Sequence, residues 1–152
     1  MDDRAHLELA KAEARLGRQE GGIPIGAALV TADGTVLGVG RNRRVQMGSA
    51  IRHGETDALE RAGRQPAGVY VRSTMYTTLS PCSMCTGAIL LYGIPRVVIG
   101  EHRTFMGEEE LLRSRGVEVV VLDDPECVAM MEEFIAAEPN LWNEDIGEPD
   151  PV

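Results

Sequence analysis

The sequence predicts an α/β domain in three layers, α/β/α, with a central five-stranded mixed sheet. Two observations support this prediction. Apolar segments of helical length alternate with short runs rich in β-branched residues between residues 53 and 137. An Asp33-Gly34 turn joins two further strand-like runs, which is typical of a hairpin. The resulting order, an initial helix and then β-β-α-β-α-β-α-β-α, implies a mixed sheet with helices on both faces.

The N-terminal half is expected to hold a helix, the hairpin and a second helix. The apolar periodicity of the first helix stops at Gly21-Gly22, and Pro24 prevents its continuation. Residues 41–51 lack periodicity and are expected to form a loop. The regular elements expected here are a helix over 3–20, strands over 23–31 and 35–40, and a helix over 53–64.

The C-terminal half is expected to alternate strands with helices. Pro81 suits the entry of a helix, and the apolar residues that follow Cys85 indicate that this helix is buried against the sheet. The acidic triplet 108–110 suits the first turn of another helix and is interpreted as capping and solvation. The expected elements are strands over 69–78, 96–100 and 117–122, and helices over 82–92, 108–115 and 125–137.

Length and charge limit the possible functions. The 152 residues, 1–152, fit one domain. The net charge of −9 lacks the basic stripe that phosphate contacts need, since only Arg41, Arg43 and Arg44 cluster modestly. We therefore expect a small-molecule substrate and no nucleic-acid partner. The chain has three cysteines, no secretory signal pattern and no apolar run of membrane length, so the sequence predicts a cytoplasmic protein without a membrane partner.

A metal-ligand pattern is the strongest functional signal in the chain. Cys82 and Cys85 lie three positions apart, so the first turn of one helix can present both thiolates to one ion. His53 adds an imidazole, and this set suits a catalytic zinc whose fourth position stays open for water. Glu55 follows His53 by two positions, close enough to reach that water without being a ligand. The pattern H-x-E followed by P-C-x-x-C is the signature of zinc-dependent nucleobase deaminases.

Two other interpretations of the pattern remain open at this point. A structural zinc normally takes a fourth protein ligand, and His6, His102 and Cys127 lie at no obvious pairing distance. A Cys-x-x-Cys pair also occurs in redox proteins. A purely structural site has no use for Glu55, which favours the catalytic interpretation.

Longer motifs resemble the yeast-type cytosine deaminases of the cytidine deaminase-like superfamily. They occur between about residue 10 and Glu148: Glu20-Gly21-Gly22-Ile23-Pro24-Ile25-Gly26, Tyr76-Thr77-Thr78-Leu79-Ser80-Pro81-Cys82, Cys85-Thr86-Gly87-Ala88-Ile89, Tyr92-Gly93-Ile94-Pro95-Arg96 and Glu144-Asp145-Ile146-Gly147-Glu148. The resemblance implies a cytidine deaminase-like fold, a homodimer, and a Zn²⁺-dependent hydrolysis of cytosine to uracil and ammonia. Guanine, isocytosine, creatinine or a nucleoside are alternative substrates, and nucleic-acid editing or a non-catalytic scaffold are alternative functions.

The resemblance also implies a role for each candidate site residue. His53, Cys82 and Cys85 hold zinc, and Glu55 shuttles protons. The residues implied to contact the substrate are Asn42 and the Gly54 N–H at the ring edge, the Ser80 carbonyl and Asp145 at the amino group, and Phe105, Trp142 and Ile146 as the roof. The last two belong to a C-terminal lid of about residues 139–148.

Arg52 departs from the family pattern, because an arginine stands immediately before the zinc histidine. Its side chain has three possible directions: towards solvent, towards Asp57, or towards the pocket. We predict that Arg52 tunes the choice of substrate and takes no part in the chemistry.

Overall fold

The computed structural model describes residues 2–149, so Met1 and residues 150–152 of the expected domain lie outside the described part. The elements are α1 Asp3–Gln19, β1 Gly26–Thr31, β2 Val36–Arg41, α2 Arg44–Met47, α3 Gly54–Ala62, α4 Ala67–Tyr70, β3 Ser73–Leu79, α5 Ser83–Tyr92, β4 Arg96–Glu101, α6 Glu109–Ser114, β5 Glu118–Val121, α7 Pro125–Ala137 and α8 Pro139–Asp145. Within residues 2–149, no helix is both long enough and apolar enough to span a bilayer.

The five strands form one mixed sheet, as the sequence predicts. Their order is β2-β1-β3-β4-β5. Strand β1 is antiparallel to both β2 and β3, whereas β3, β4 and β5 are mutually parallel. Because β2 and β3 both run opposite to β1, they point in the same direction as β4. The carboxyl ends of β2, β3 and β4 therefore meet at one edge of the sheet.

The alternation of side chains along β1 builds a core on each face of the sheet. Ala27 and Leu29 belong to a cluster that includes residues of α3, α5 and α6. Ala28 and Val30 belong to a second cluster that includes Leu7 of α1. The predicted three-layer α/β/α architecture is confirmed.

Helix α3 packs on β2 at backbone-to-backbone distance. A Cβ atom added to Gly40 would lie 2.2 Å from the backbone nitrogen of Ala58. A Cβ atom added to Gly38 would lie 2.6 Å from the backbone nitrogen of Ala62. Only glycine leaves room for this approach, which fixes the position of α3 over the sheet.

Three segments contain helices that the sequence did not predict, and one of them is α8 in the expected lid. The expected strand over 69–78 begins only at Ser73, because α4 precedes it after Pro66. The Tyr70 hydroxyl stabilises this turn by accepting a hydrogen bond from the backbone N–H of Gln65 at 3.1 Å. The expected loop over 41–51 contains the short helix α2. Its first N–H group, on Arg44, donates to Oδ1 of Asn42 at 3.1 Å.

The prediction that α5 is buried along its length is wrong. Ile89 is fully buried, but Leu91 is 75% exposed and Tyr92 is 41% exposed. A helix that lies on a sheet buries only one side, and the sequence of α5 is apolar on both sides. The outward face of α5 therefore exposes apolar side chains, of which Tyr92 is partly covered by the ring of Tyr70, with centroids 4.7 Å apart.

Candidate active site

The predicted site residues gather where strands end and two helices begin. His53 is the N-cap of α3 and Cys82 is the N-cap of α5, so both stand at helix N-termini. Asn42 directly follows β2, and Ser80 directly follows β3. Because both strands end at the same edge of the sheet, these four residues are brought together from distant parts of the chain.

The structure places His53, Cys82 and Cys85 in one cluster. One potential ligand atom from each lies within 4.8 Å of the other two. Nδ1 of His53 is 3.5 Å from Sγ of Cys82. It is the only such cluster of three or more ligand-type residues found within residues 2–149. Two sulfur atoms and one nitrogen fit a zinc ion whose fourth position is open.

The other candidate ligands lie elsewhere. Nδ1 of His6 is 3.3 Å from the hydroxyl of Tyr76. Nδ1 of His102 is 3.2 Å from the carboxylate of Glu109. Cys127 is buried among core residues and joins no such cluster in the described chain. A fourth protein ligand, which a structural zinc site would need, is therefore not among these three residues.

Hydrogen bonding between the two cysteine thiols shifts their pKa values in opposite directions. A hydrogen bond from Cys85, together with one from His53, outweighs burial and lowers the pKa of Cys82 to about 4. The same hydrogen bond and burial raise the pKa of Cys85 well above its usual value. The site is therefore already suited to carrying a thiolate, which is the form of cysteine that binds metal.

Glu55 lies beside the cluster in the first turn of α3 and lines the same cavity. Burial raises the pKa of its carboxyl group to about 7, and the negative charge of Cys82 adds to this effect. A carboxyl group with a pKa near neutrality can both accept and donate a proton. This is the property that a proton shuttle needs.

Asp145 connects the C-terminal helix α8 to the histidine. Its Oδ1 atom accepts a hydrogen bond from Nδ2 of Asn42 at 2.8 Å and lies 3.2 Å from Nε2 of His53. Burial lowers the pKa of His53, but the hydrogen bonds with Asp145 and Cys82 outweigh burial and raise it to about 10. The imidazole thus presents Nδ1 to the cysteines and Nε2 to Asp145, a contact that fixes the orientation of the ring.

A small cavity opens beside the cluster. Its lining is formed by Ile25, His53, Glu55, Leu79, Ser80, Cys82, Phe105, Trp142, Asp145 and Ile146. The rings of Phe105 and Trp142 meet edge to face, with centroids 5.8 Å apart. Five of the predicted substrate-contacting residues line this cavity: Ser80, Phe105, Trp142, Asp145 and Ile146.

Two predicted substrate-contacting residues do not line the cavity, and two other residues do. Asn42 is fully buried and reaches the lining through its hydrogen bonds to Asp145 and to the carbonyl oxygen of Ile25. Gly54 packs against Gly26, to which a Cβ atom would come within 3.3 Å. Ile25 and Leu79 line the cavity but were not predicted. Ile25 directly precedes β1 and Leu79 ends β3, so their positions at the sheet edge that carries the site could have indicated that they line it.

Glu109 holds Ser80 in place, so the interpretation of this glutamate as a solvated residue is wrong. Glu109 is only 2% exposed, and Ser80 Oγ donates a hydrogen bond to it at 2.6 Å. The backbone N–H of Gly107 in turn donates to Ser80 Oγ at 2.9 Å. A Cβ atom on Gly107 would meet the carbonyl oxygen of Pro81 at 1.9 Å. The loop after β4 therefore packs directly against the start of α5.

Arg52 takes one of the three directions that the sequence left open. Its Nη1 atom donates to Oδ1 of Asp57 at 2.7 Å. The residue is not part of the cavity lining. Any effect of Arg52 on substrate choice must therefore pass through its neighbours.

Solved structures with known activities share this fold. A structure from a study of A-to-I editing by tRNA:A34 deaminases matches with a TM-score of 0.71 and 28% identity, covering 84% of this chain and 99% of that chain. A guanine deaminase from Nitrosomonas europaea has the same fold, with a TM-score of 0.71 at 22% identity over 90% of this chain and 85% of that chain.

Similar sequences identify the family. The chain is 57% identical over 147 residues to the cytosine deaminase of Candida albicans. The aligned region covers 97% of this chain and 98% of that protein. It is 36% identical over 107 residues to a tRNA-specific adenosine deaminase of Streptococcus pyogenes, covering 69% of this chain and 67% of that protein. Residues 1–101 match the model of the family described as the cytidine and deoxycytidylate deaminase zinc-binding region. Together with the buried His-Cys-Cys cluster and its neighbouring glutamate, these matches show that the chain belongs to this family and is a zinc-dependent hydrolytic deaminase.

Proposed function

We propose that this deaminase acts on a free nucleobase and converts cytosine to uracil and ammonia. The observation that carries the proposal is the 57% identity to a cytosine deaminase over 97% of the chain, which reaches beyond the family's zinc-binding region. The roofed cavity supports it. Phe105 and Trp142 lie edge to face over the site, and Ile146 completes the cover. A free base fits beneath such a roof more readily than a nucleoside, whose ring carries a ribose.

His53, Cys82 and Cys85 are the proposed zinc ligands. Zinc, when bound, supplies a water of lowered pKa and a Lewis acid. Cys82 is the N-cap of α5 and Cys85 lies in its first turn, where the aligned peptide dipoles favour the negative charge of thiolates. The contact of Asp145 with Nε2 keeps Nδ1 of His53 on the side of Cys82, where it would be available to bind the metal.

Glu55 is the proposed proton shuttle. It takes a proton from the attacking water and gives it to the ring nitrogen, so that the carbon bearing the amino group accepts the new C–O bond. Glu55 then takes the remaining proton of the added hydroxyl group and passes it to the amino group, so that the C–N bond breaks, the C=O bond forms and ammonia leaves. The carbonyl oxygen of Ser80 and the carboxylate of Asp145 are proposed to accept hydrogen bonds from the departing amino group.

RNA is the main alternative substrate, because some relatives are tRNA-specific adenosine deaminases. Phosphate contacts require basic side chains that are free to pair with them. The three arginines near the site each have an acidic neighbour: Arg41 with Glu13 at 3.0 Å, Arg43 with Asp57 at 2.9 Å and Arg44 with Asp145 at 3.8 Å. Together with the net charge of −9, these pairs favour a small neutral substrate.

The outward face of α5 supports a proposed homodimer. Leu91 and Tyr92 are exposed on it, and with Leu59 of α3 they border a wide groove between the two helices. A second copy of the chain is the proposed occupant, since an exposed apolar patch of this kind is typical of a protein interface. A cytoplasmic location stays a prediction from the sequence.

Cytosine should be a much better substrate than cytidine, because the rings of Phe105 and Trp142 cover the cavity and would oppose the added bulk of the sugar. We expect the ratio of kcat/KM values to exceed about a hundredfold, the ratio that corresponds to roughly 2.7 kcal/mol of excluded binding. An ammonia-release assay measures both, in a panel that includes guanine, isocytosine, creatinine and adenosine-containing RNA. Equal rates on cytosine and cytidine would overturn the free-base proposal.

A second experiment tests the proposed lid, residues 139–148. Truncation after Pro139 should leave zinc content intact and severely reduce cytosine turnover, because it removes Trp142 and Asp145. Trp142 also packs with Phe134 in a core cluster, so a Trp142→Phe variant tests the roof with less risk to folding. Normal turnover in the truncated protein would show that residues 139–148 are not a lid.

A Glu55→Gln variant should bind zinc normally and lose nearly all turnover. Glutamine keeps the volume of the side chain but cannot shuttle protons, and general acid–base catalysis alone is worth about 10² to 10⁴ in rate. Metal analysis and kcat for cytosine measure the two effects separately. More than a tenth of the wild-type kcat in this variant would contradict the assigned role.

A Cys85→Ser variant should lose zinc and unfold at a lower temperature, because metal binding contributes to folding free energy. Cys127→Ser is the matched control, since Cys127 is also a buried cysteine but lies outside the cluster. This control should retain one zinc per chain even where its thermal stability falls. Zinc retained by Cys85→Ser, measured by atomic absorption, would rule out Cys85 as a ligand.

The chain should be a dimer in solution, and Leu91→Glu should convert it to a monomer because the change places a charge in the apolar interface. Leu16→Glu is the control, since Leu16 is 43% exposed on α1, away from the groove. Sedimentation equilibrium gives both masses. A wild-type monomer, or a dimer that Leu91→Glu leaves intact, would refute this interface.

A further inference from the structure

Asp57 is a fully buried carboxylate that the proposed chemistry does not use. It lies in α3, one turn after His53. It accepts three hydrogen bonds: from the backbone N–H of Arg41 at 3.0 Å, from Nε of Arg43 at 2.9 Å and from Nη1 of Arg52 at 2.7 Å. A buried charge is stable only when it is paired and hydrogen-bonded. Asp57 therefore constrains all three donors.

Two of these donors flank Asn42 in the chain. Asp57 binds the residue before Asn42 through its backbone and the residue after it through its side chain. The backbone N–H of Arg43 also donates to the carbonyl oxygen of Arg52 at 2.9 Å. Arg52 thus ties the segment 41–43 to the start of α3 twice, once through its own carbonyl and once through Asp57.

The side chain of Asn42 depends on this anchored backbone. Its amide nitrogen donates to Asp145 at 2.8 Å, and its amide oxygen accepts the N–H of Arg44 at 3.1 Å. Its own N–H donates to the carbonyl oxygen of Ile25 at 2.9 Å. A shift of the segment would carry the amide away from Asp145 and from any ligand beside it.

We propose that Asp57, held between Arg43 and Arg52, is a positioning residue. It fixes the position of the Asn42 side chain relative to Asp145 and thereby determines how the substrate ring is recognised. This inference rests on the proposed function, in which Asp145, the hydrogen-bond partner of Asn42, meets the substrate. It also gives a route by which Arg52 would exert its predicted effect on substrate choice without lining the cavity. Arg52 acts on Asp57, Asp57 acts on segment 41–43, and that segment carries Asn42.

Substitutions that weaken the contacts of Asp57 should mainly reduce the affinity for substrate. The clamp formed by Arg43, Asp57 and Arg52 contains neither a proposed metal ligand nor Glu55. Arg52→Leu is expected to raise KM for cytosine about tenfold and to change kcat by less than about threefold, since small errors in placement weaken binding steeply. Arg52→Lys should recover part of the loss, because it restores a positive charge beside Asp57. Zinc content should stay at the wild-type value in both variants.

A double-mutant cycle separates positioning from general stability. In an Asn42→Ala background, Arg52→Leu should have no further effect on KM, because the residue through which it acts is gone. Arg96→Leu is the matched control. Arg96 is 23% exposed and pairs with Asp3, whereas Arg52 is 28% exposed and pairs with Asp57. The control should leave KM unchanged in both backgrounds.

Hydrogen exchange gives a result that does not depend on the substrate. Amide exchange in the peptide spanning 41–44 should accelerate in Asp57→Asn and in Arg52→Leu, and it should not change in Arg96→Leu. Unchanged exchange, or KM effects of Arg52→Leu and Asn42→Ala that simply multiply, would overturn the inference. If the wild-type enzyme prefers another heterocycle, the cytosine proposal fails, and the same cycle on that heterocycle still decides the role of Asp57.

Discussion

The contact between α3 and the glycines of β2 is the constraint on which the site depends. Gly38 and Gly40 allow the helix backbone to lie directly on the strand, and Gly54 meets Gly26 at the helix entry in the same way. This packing places His53 at a fixed height above the sheet edge. Cys82 reaches that edge from the end of β3. Side chains at these glycines would lift α3 and separate ligand atoms that now lie within 4.8 Å of one another.

Buried acids hold the loops that this edge requires. Glu101 accepts hydrogen bonds from the backbone N–H groups of Arg103 and Thr104, at 2.7 and 3.0 Å, and so shapes the loop that carries Phe105. Glu109 fixes Ser80 and Asp57 fixes the segment before α2. Glu101 and Asp57 take up backbone N–H groups that a strand or helix would otherwise satisfy, whereas Glu109 takes up the hydroxyl of Ser80. The loops of the active site thus have irregular backbone conformations but are held in fixed positions.

The sequence predicts most of the fold because its signals are local. Helix periodicity, the Asp33-Gly34 turn and the ligand spacing each lie within a few residues, and together they account for the five strands and the metal cluster. Burial against a particular neighbour is not local. The apolar sequence of α5 does not show which side faces the sheet, so the exposure of Leu91 could not be predicted. The pairing of Arg52 with Asp57 was one of three possibilities because side-chain direction depends on packing. Ile25 and Leu79 were missed because an apolar cavity lining has the same composition as a core.

The contact between Asp145 and His53 couples the docking of α8 to the binding of metal. Asp145 arrives with the last described helix, whereas His53 belongs to the metal cluster. If docking of α8 strengthens the hold of the histidine on its ion, thermodynamic reciprocity requires that the ion strengthen the docking of α8 by the same factor. A chain that is still being synthesised has α3 and α5 before it has α8. The three proposed ligands would already hold zinc at that stage, and the affinity of the chain for metal would reach its final value only when the C-terminal helix arrives.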